Sequence, residues 1–435
     1  MKTSTLLFAL SVILSLISCT VGTVGTEDSE SLDLSTSVFT AVSNNDTNLK
    51  VTVTCSSAWT AASDALWCMP QTLNGSGVSV LILNVGANLE STNRQATITL
   101  QAGTATKTIT VQQLAGRGTA EGYHYKLPVI FHVLYKDKND PRQNVSAKRL
   151  ANILAKVNAY YQGGSNSADM NLEFVLATRD ANGRILEEPG VDRVPMNSAT
   201  LDCEEFMSSK KRKYTYLLWD PNQYINVMMY NFASAGEQQV ILGISHYPYT
   251  WKTHSLEGVN ESQYPKITLA QLDFAYCVSI NSLFINKESQ GEIHRSDDVN
   301  VTLAHELGHY LGLLHTFSQK KNGDIDLCAD TDYCKDTPTY NRAEYNQWLV
   351  ENKGQTIPAL KDVAIRHECG TGILFTSYNI MDYSYSYSNQ FTPDQCERIR
   401  YILTYGILMP GPKLGQTGTR ATSEETVHLP IRTIR

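Results

Sequence analysis

Five residues within 301–317, VTLAHELGHYLGLLHTF, have the types and spacing to hold a metal ion and use it. His305 and His309 are four apart, so on a helix both imidazoles lie on one face, one turn from each other. Glu306 follows the first histidine and lands beside the ion's open position, where its carboxylate can take a proton from water. Gly312 accepts the φ > 0 backbone that ends a helix, so the chain can turn back and deliver His315 as third ligand. Three neutral imidazoles with one position left open are the donor set of a catalytic zinc site, not a structural one. By chance these five fixed positions co-occur in about two chains per hundred thousand of such composition. Three histidines on an ordinary core helix would leave Glu306 buried without a partner, which is costly.

Asn379-Ile380-Met381-Asp382-Tyr383 and Phe391-Thr392-Pro393-Asp394-Gln395 lie about seventy residues further on. The eleven-residue zinc motif followed by a methionine turn is the metzincin signature. The pairing N-x-M-D-Y with F-T-P-x-Q resembles the pappalysin family of metzincin metalloproteases, over residues 123–409. That resemblance implies an α+β, zincin-like catalytic domain that hydrolyses peptide bonds of extracellular proteins. It implies Met381 as an apolar floor under the imidazoles and Tyr383 as the group that steadies the oxyanion of the tetrahedral intermediate. It implies a structural Ca2+ near the D-T-P at 336–338, with Asp324, Asp326, Asp336 and Thr337 as candidate oxygen donors. The spacing is not an EF-hand, and solvated turn aspartates are the other reading. Finally it implies two disulfides among Cys328, Cys334, Cys369 and Cys396, whose three possible pairings the sequence leaves open.

These groups must be positioned by elements that are themselves legible. Asp297 or Asp298 can cap the zinc helix, and an acid suits that end of its dipole. Residues 127–135 are a near-continuous apolar strand. A helix over 146–161 follows, with Leu150, Ile153, Leu154 and Val157 spaced for one buried face. Strands at 172–177, 225–230 and 241–244 complete a β-α-β start, which predicts a twisted mixed sheet with the zinc helix packed against it. An edge strand beside the zinc would let a peptide substrate add as a further strand. A helix over 392–403 closes the domain at 410, and 411–435 reads as a polar, loose tail.

Upstream, residues 33–115 read as all-β, from short alternating runs at 50–54, 78–85, 96–101 and 107–112 between Gly, Asn and Ser clusters. Trp59, Trp67, Gly75-Ser76-Gly77, the run 93–98 and the closing 110–113 resemble a BACON domain, which implies an immunoglobulin-like sandwich. Such a domain serves either as a spacer with tryptophans in its core or as a carbohydrate or mucin binder with tryptophans exposed. Residues 116–122, GRGTAEG, are a flexible linker. Residues 1–18 form a secretory signal, with Lys2 before an apolar run at 6–17 that is too short to span a bilayer. Leu16-Ile17-Ser18-Cys19 resembles a bacterial lipobox, implying cleavage before Cys19, a lipid on its sulfur and a tether over 19–32. That places the protein at an outer membrane or cell surface.

The chain has 435 residues, room for two or three domains, and 36 basic against 43 acidic residues give no case for a nucleic-acid partner. Setting Cys19 aside, eight cysteines remain, an even count that suits disulfides in an exported chain. No motif marks an upstream cysteine, Cys203 for instance, as a zinc-blocking latency switch. The sequence therefore predicts a lipid-anchored zinc endopeptidase. Its rival is a surface adhesion protein that binds glycan or mucin and carries a vestigial protease domain.

Overall fold

The computed structural model describes residues 31–434, apart from 45–46, 66, 87, 89–91, 116–122, 165–166, 181–182, 234–239, 291–296, 319–327, 353–359, 384 and 412–425. The signal, the lipidation site Cys19, the linker, Asp324 and Asp326 lie outside the described residues.

Two large hydrophobic cores form, one from each part of the chain, with a small aromatic cluster of Phe317, Tyr340 and Tyr345 beside the second. The first belongs to strands β1 (Leu32–Leu34), β2 (Val38–Val42), β3 (Thr47–Ser63), β4 (Cys68–Pro70), β5 (Asn74–Val85), β6 (Arg94–Ala102) and β7 (Ala105–Gln113). They hydrogen-bond in the order β2-β7-β6-β3-β5-β4, with β1 also on β3. Alternation decides which face is buried: Val51, Val53, Leu81, Leu83, Ile98, Leu100, Ile109 and Val111 point inward, and their neighbours point out. Trp59 is fully in this core and donates from Nε1 to Ser79 Oγ at 3.3 Å. Gly75 is what admits it, because a Cβ there would sit 2.5 Å from Trp59 Cζ2. Trp59 is thus not a platform for sugar; Trp67 is half-buried with the Arg94 guanidinium 4.2 Å over its ring.

The second part runs β8 (Tyr125–Tyr135), α1 (Ala147–Tyr161), the hairpin β9 (Gln162–Gly164) and β10 (Ser167–Asp169), β11 (Leu172–Leu176), β12 (Val191–Pro195), α2 (Cys203–Ser208), β13 (Ile225–Tyr230), β14 (Gly243–His246), β15 (Tyr249–Trp251), β16 (Asn260–Ser262) and β17 (Val278–Asn281). It continues through α3 (Val299–Tyr310), α4 (Arg342–Glu351), α5 (Leu360–Val363), β18 (Ile365–His367), β19 (Leu374–Thr376), α6 (Pro393–Tyr405), β20 (Gly406–Ile407) and β21 (Thr433–Ile434). The main sheet is ordered β11-β8-β13-β17-β14-β21, with β12 also on β8. The strands from β11 to β17 are parallel, and β14 runs antiparallel to β17. All six residues of β13 are buried, as a strand covered on both faces requires. On α1, Leu150, Ile153, Leu154, Val157 and Tyr161 make the expected single buried face.

The end of the chain departs from expectation. Residues 426–434 are docked rather than loose: Val427 and Leu429 are buried, Tyr249 Oη donates to the Pro430 carbonyl at 2.7 Å, and β21 adds to β14. Three apolar side chains, Val427, Leu429 and Ile434, separated by polar ones, supply the burial that the polar composition of 411–435 concealed.

Candidate metal centre

Helix α3 carries the first two histidines and is fixed at both ends. Asp298 is its cap, accepting from Asn300 N at 2.8 Å and Val301 N at 3.4 Å with Oδ1, and from Ser289 N at 2.6 Å with Oδ2. Tyr161 of α1 donates its hydroxyl to the Ala304 carbonyl at 2.8 Å, tying α3 to the layer behind. The helix stops at Tyr310, and Gly312 turns the chain at φ +97°. Its carbonyl accepts from Tyr247 Oη at 2.8 Å and Arg398 Nε at 2.6 Å, so the turn is anchored as well as permitted.

That turn brings His315 to His305 and His309. The Nε2 atoms are 3.0 Å (His305–His309), 3.1 Å (His309–His315) and 3.2 Å (His305–His315) apart. A tetrahedral ion held at about 2.0–2.1 Å from each nitrogen needs them about 3.3–3.4 Å apart, so the triangle fits Zn2+ with little adjustment. The ring orientation is set from behind. Nδ1 of His305 donates to the Ile380 carbonyl at 2.7 Å, and Nδ1 of His309 to the Leu313 carbonyl at 2.9 Å, which leaves both Nε2 lone pairs facing inward. Burial lowers the His305 pKa to about 4 and pushes His309 well below its ordinary range, so both are neutral, as ligands must be. Among the described residues these three form the one cluster of metal-binding side chains, and no cysteine joins it. Cys203 sits instead in the core on α2.

Glu306 is buried beside them, its Oε2 without a hydrogen-bond partner and its pKa raised well above normal by burial. An orphaned carboxylate next to three convergent lone pairs is the environment a cation would relieve. Gly243 on β14 makes the space: a Cβ there would come within 2.5 Å of Glu306 Cγ.

Beneath the imidazoles lies the methionine turn. Met381 is fully buried, and a Cβ on Gly308 would lie 2.6 Å from its Sδ, so the glycine of HELGH admits the floor. The turn is held by the two motifs together: Asn379 Oδ1 accepts from Met381 N at 2.9 Å, and Asn379 Nδ2 donates to Gln395 Oε1 at 2.9 Å. Gln395 Oε1 also accepts from Thr392 N at 3.0 Å in the capping box of α6. Tyr383 stacks into the site with its ring 4.4 Å from His315 and 5.6 Å from His305. Burial and the nearby Glu306 carboxylate raise its pKa.

Asp382 and Arg366 were not singled out by sequence reasoning, yet they hold this turn. Their side chains are fully buried and form an ion pair at 3.2 Å. Asp382 also accepts from Tyr340 Oη at 2.5 Å, Tyr383 N at 2.7 Å and Ser377 Oγ. Asp382 lay inside a motif read for its methionine and tyrosine; Arg366 lay in a stretch without a motif.

One expectation needs correction. One disulfide forms, Cys328–Cys369, tying the loop after the metal ligands to the segment before β19. Cys334 and Cys396 do not make the second: their thiols face the separate carbonyls of Asp332, at 3.6 Å, and Asp169, at 3.4 Å. Of the candidate calcium donors, Asp336 accepts from Asp394 N at 2.9 Å and Thr337 donates to Asp332 Oδ2 at 2.7 Å, so both already have protein partners.

Three inward-facing imidazoles, a neighbouring carboxylate and a methionine floor give the site the donor set of a catalytic metal centre. Residues 208–404 match the Peptidase_M43 family, described as pregnancy-associated plasma protein-A, and residues 57–114 match the BACON domain, described as a putative binding domain. An extracellular metalloprotease of Arthroderma benhamiae is 38% identical over 99 residues, 22% of this chain and 29% of that protein. One from Trichophyton verrucosum gives the same figures. The matched region thus spans less than a third of these curated relatives. Among solved structures, mature mirolysin of Tannerella forsythia in complex with a cleaved peptide is 22% identical, with a TM-score of 0.43, over 64% of this chain and 91% of that one.

Proposed function

We propose that the protein is a secreted zinc-dependent endopeptidase. The observation that carries this reading is the convergence of three Nε2 atoms to within 3.2 Å of one another beside the orphaned carboxylate of Glu306. Zn2+ held by His305, His309 and His315 would polarise the scissile carbonyl and acidify the attacking water. Glu306 takes the proton from that water and passes it to the leaving amine. The Tyr383 hydroxyl donates to the developing oxyanion. The substrate backbone adds to the free edge of β14 around Gly243 and Ile244, since β21 occupies the edge at Ser245 and His246.

In this reading the catalytic unit, over 123–410 plus the docked 426–434, has an α+β metzincin fold, and 33–115 is an immunoglobulin-like sandwich. The signal over 1–18 and a lipid on Cys19 tether the protein to an outer membrane or cell surface, and mass measurement of the mature N-terminus tests that. Ca2+ is retained as a structural ion near Asp336, supported by the buried Asp332, whose pKa burial raises to about 7. A melting temperature indifferent to added Ca2+ would remove it. Binding of carbohydrate or mucin by the first domain is tested by a glycan array on the full chain.

The decisive experiment is cleavage of a denatured general protein substrate with and without a zinc chelator, beside Glu306→Gln. The variant should keep its zinc and lose at least about a hundred-fold in rate. Retained activity in Glu306→Gln would refute the assignment.

A further inference from the structure

Two arginines stand in the aromatic cluster under the metal centre, and they differ in one respect. Arg366 has a counter-ion: its guanidinium pairs with Asp382 and donates to the carbonyls of Val363 at 2.8 Å and Tyr385 at 3.0 Å, although its Nε is unpartnered. Arg342, the first residue of α4, has no counter-ion among the described residues. Its guanidinium lies 4.3 Å from the ring centroid of Tyr383 and 4.6 Å from that of Phe317, while its Nε is buried with no hydrogen-bond partner. None of the described carboxylates forms an ion pair with it; the nearest chain neighbour with a charge, Glu344, is exposed in the same first turn of α4.

The place is specific. Tyr383 is 4.4 Å from the His315 ring, and Phe317 is stacked on His315 at 4.6 Å, so one aromatic layer separates Arg342 from the ligand ring. Ring faces offset part of the charge of a guanidinium but leave its N–H edge free. A free guanidinium edge takes a carboxylate in a bidentate geometry, and a planar bed that holds the group still reduces what binding costs in entropy. The N-terminus of α4, capped by Asn341, adds positive potential on the same side.

We propose that Arg342 is a specificity-determining residue that receives a carboxylate of the peptide substrate, an acidic side chain flanking the scissile bond. The proposal rests on the endopeptidase reading and adds a substrate class to it. Neither Glu306 nor Asp382 is an ion-pair partner of Arg342: Glu306 Oε2 has no hydrogen-bond partner, and Asp382 is committed to Arg366.

The test begins with the zinc-loaded full chain digesting a pool of denatured protein, with cut sites read by mass spectrometry. Peptides carrying Asp, Asn or Lys at the enriched position then give kcat/KM ratios for the wild type, Arg342→Gln and Arg342→Glu. The wild type should favour Asp over Asn about ten-fold, Arg342→Gln should bring the ratio near one, and Arg342→Glu should turn the preference toward Lys. Loss of packing around Tyr383 lowers rates but cannot reverse a charge preference. Cut sites without acidic enrichment at any flanking position, or an Asp preference kept by Arg342→Glu, overturn the proposal. Calorimetric binding of the same Asp and Asn peptides to Glu306→Gln separates the two readings. Equal affinities sink the role of Arg342 whether or not the wild type cuts, whereas tighter Asp binding without any cutting supports it and strikes the endopeptidase reading alone.

Discussion

Asp382→Asn is the substitution whose effect follows most directly from the geometry. The wild-type carboxylate is buried, pairs with the buried Arg366 at 3.2 Å and accepts from Tyr340, Ser377 and the Tyr383 backbone. The amide keeps one oxygen as an acceptor but brings no charge, so Arg366 becomes a buried cation without a counter-ion. Breaking such a pair from one side costs about 3–5 kcal/mol. At about 2–4 °C per kcal/mol for a domain of this size, the zinc-loaded catalytic unit should melt about 10 °C lower. Calorimetry on the full chain at pH 7 is the assay, with the N-terminal unit, which has a separate core, as internal reference. Arg366→Met alone should also destabilise, while Arg366→Met/Asp382→Asn should cost at least about 2 kcal/mol less than the sum of the two. A variant melting within 2 °C of wild type, or losses that simply add, would show that the pair is not what holds the methionine turn.

Tyr383→Phe should lower kcat about a hundred-fold with little change in KM and full zinc content, read from steady-state kinetics and metal analysis. An unchanged kcat would remove Tyr383 from the oxyanion. Gly308→Ala forces a Cβ to 2.6 Å from Met381 Sδ, an overpacking worth about 1–3 kcal/mol, and should lose zinc faster to a chelator. Adding Met381→Ala should restore part of that retention; if it does not, the glycine is not serving the floor. His246 accepts from Cys277 N at 3.1 Å and donates to the Met207 carbonyl at 3.0 Å as a neutral ring, and burial lowers its pKa to about 4. A histidine depressed in the folded state leaves stability intact above about pH 6.5 and loses up to about 3 kcal/mol as pH falls to 4. Urea midpoints at pH 7 and pH 5 should show the fall, and His246→Gln should flatten it; a steeper slope in the variant would count against the burial argument.

The part of the site that the sequence displays is the part whose chemistry demands fixed spacing. His305, His309 and His315 are legible because a helix turn and a glycine stop convert spacing into geometry, and the structure brings their Nε2 atoms together as expected. The pairing of N-x-M with F-T-P-x-Q is likewise legible as a pattern, but its reason is not: that Gln395 holds Asn379, and Asn379 the backbone of Met381, requires the fold. The groups that support the site come from segments with no local signal. Arg366 is an unremarkable residue until β18 places it against Asp382, and Gly243 is one glycine among 27 until β14 is packed on Glu306. Disulfide pairing stayed open for the same reason, and the second bridge does not form, since four cysteines in a loop-rich segment carry no record of which thiols the turns bring face to face. The tail misled because its composition is polar on average, whereas docking needed three apolar side chains, Val427, Leu429 and Ile434, and an open strand edge to receive them. Ligand spacing is a local constraint and survives in sequence; second partners, close approaches and docked termini are consequences of topology. That difference is also why Arg342, which pairs with no described carboxylate and lies over the ring of Tyr383, becomes visible only in the fold.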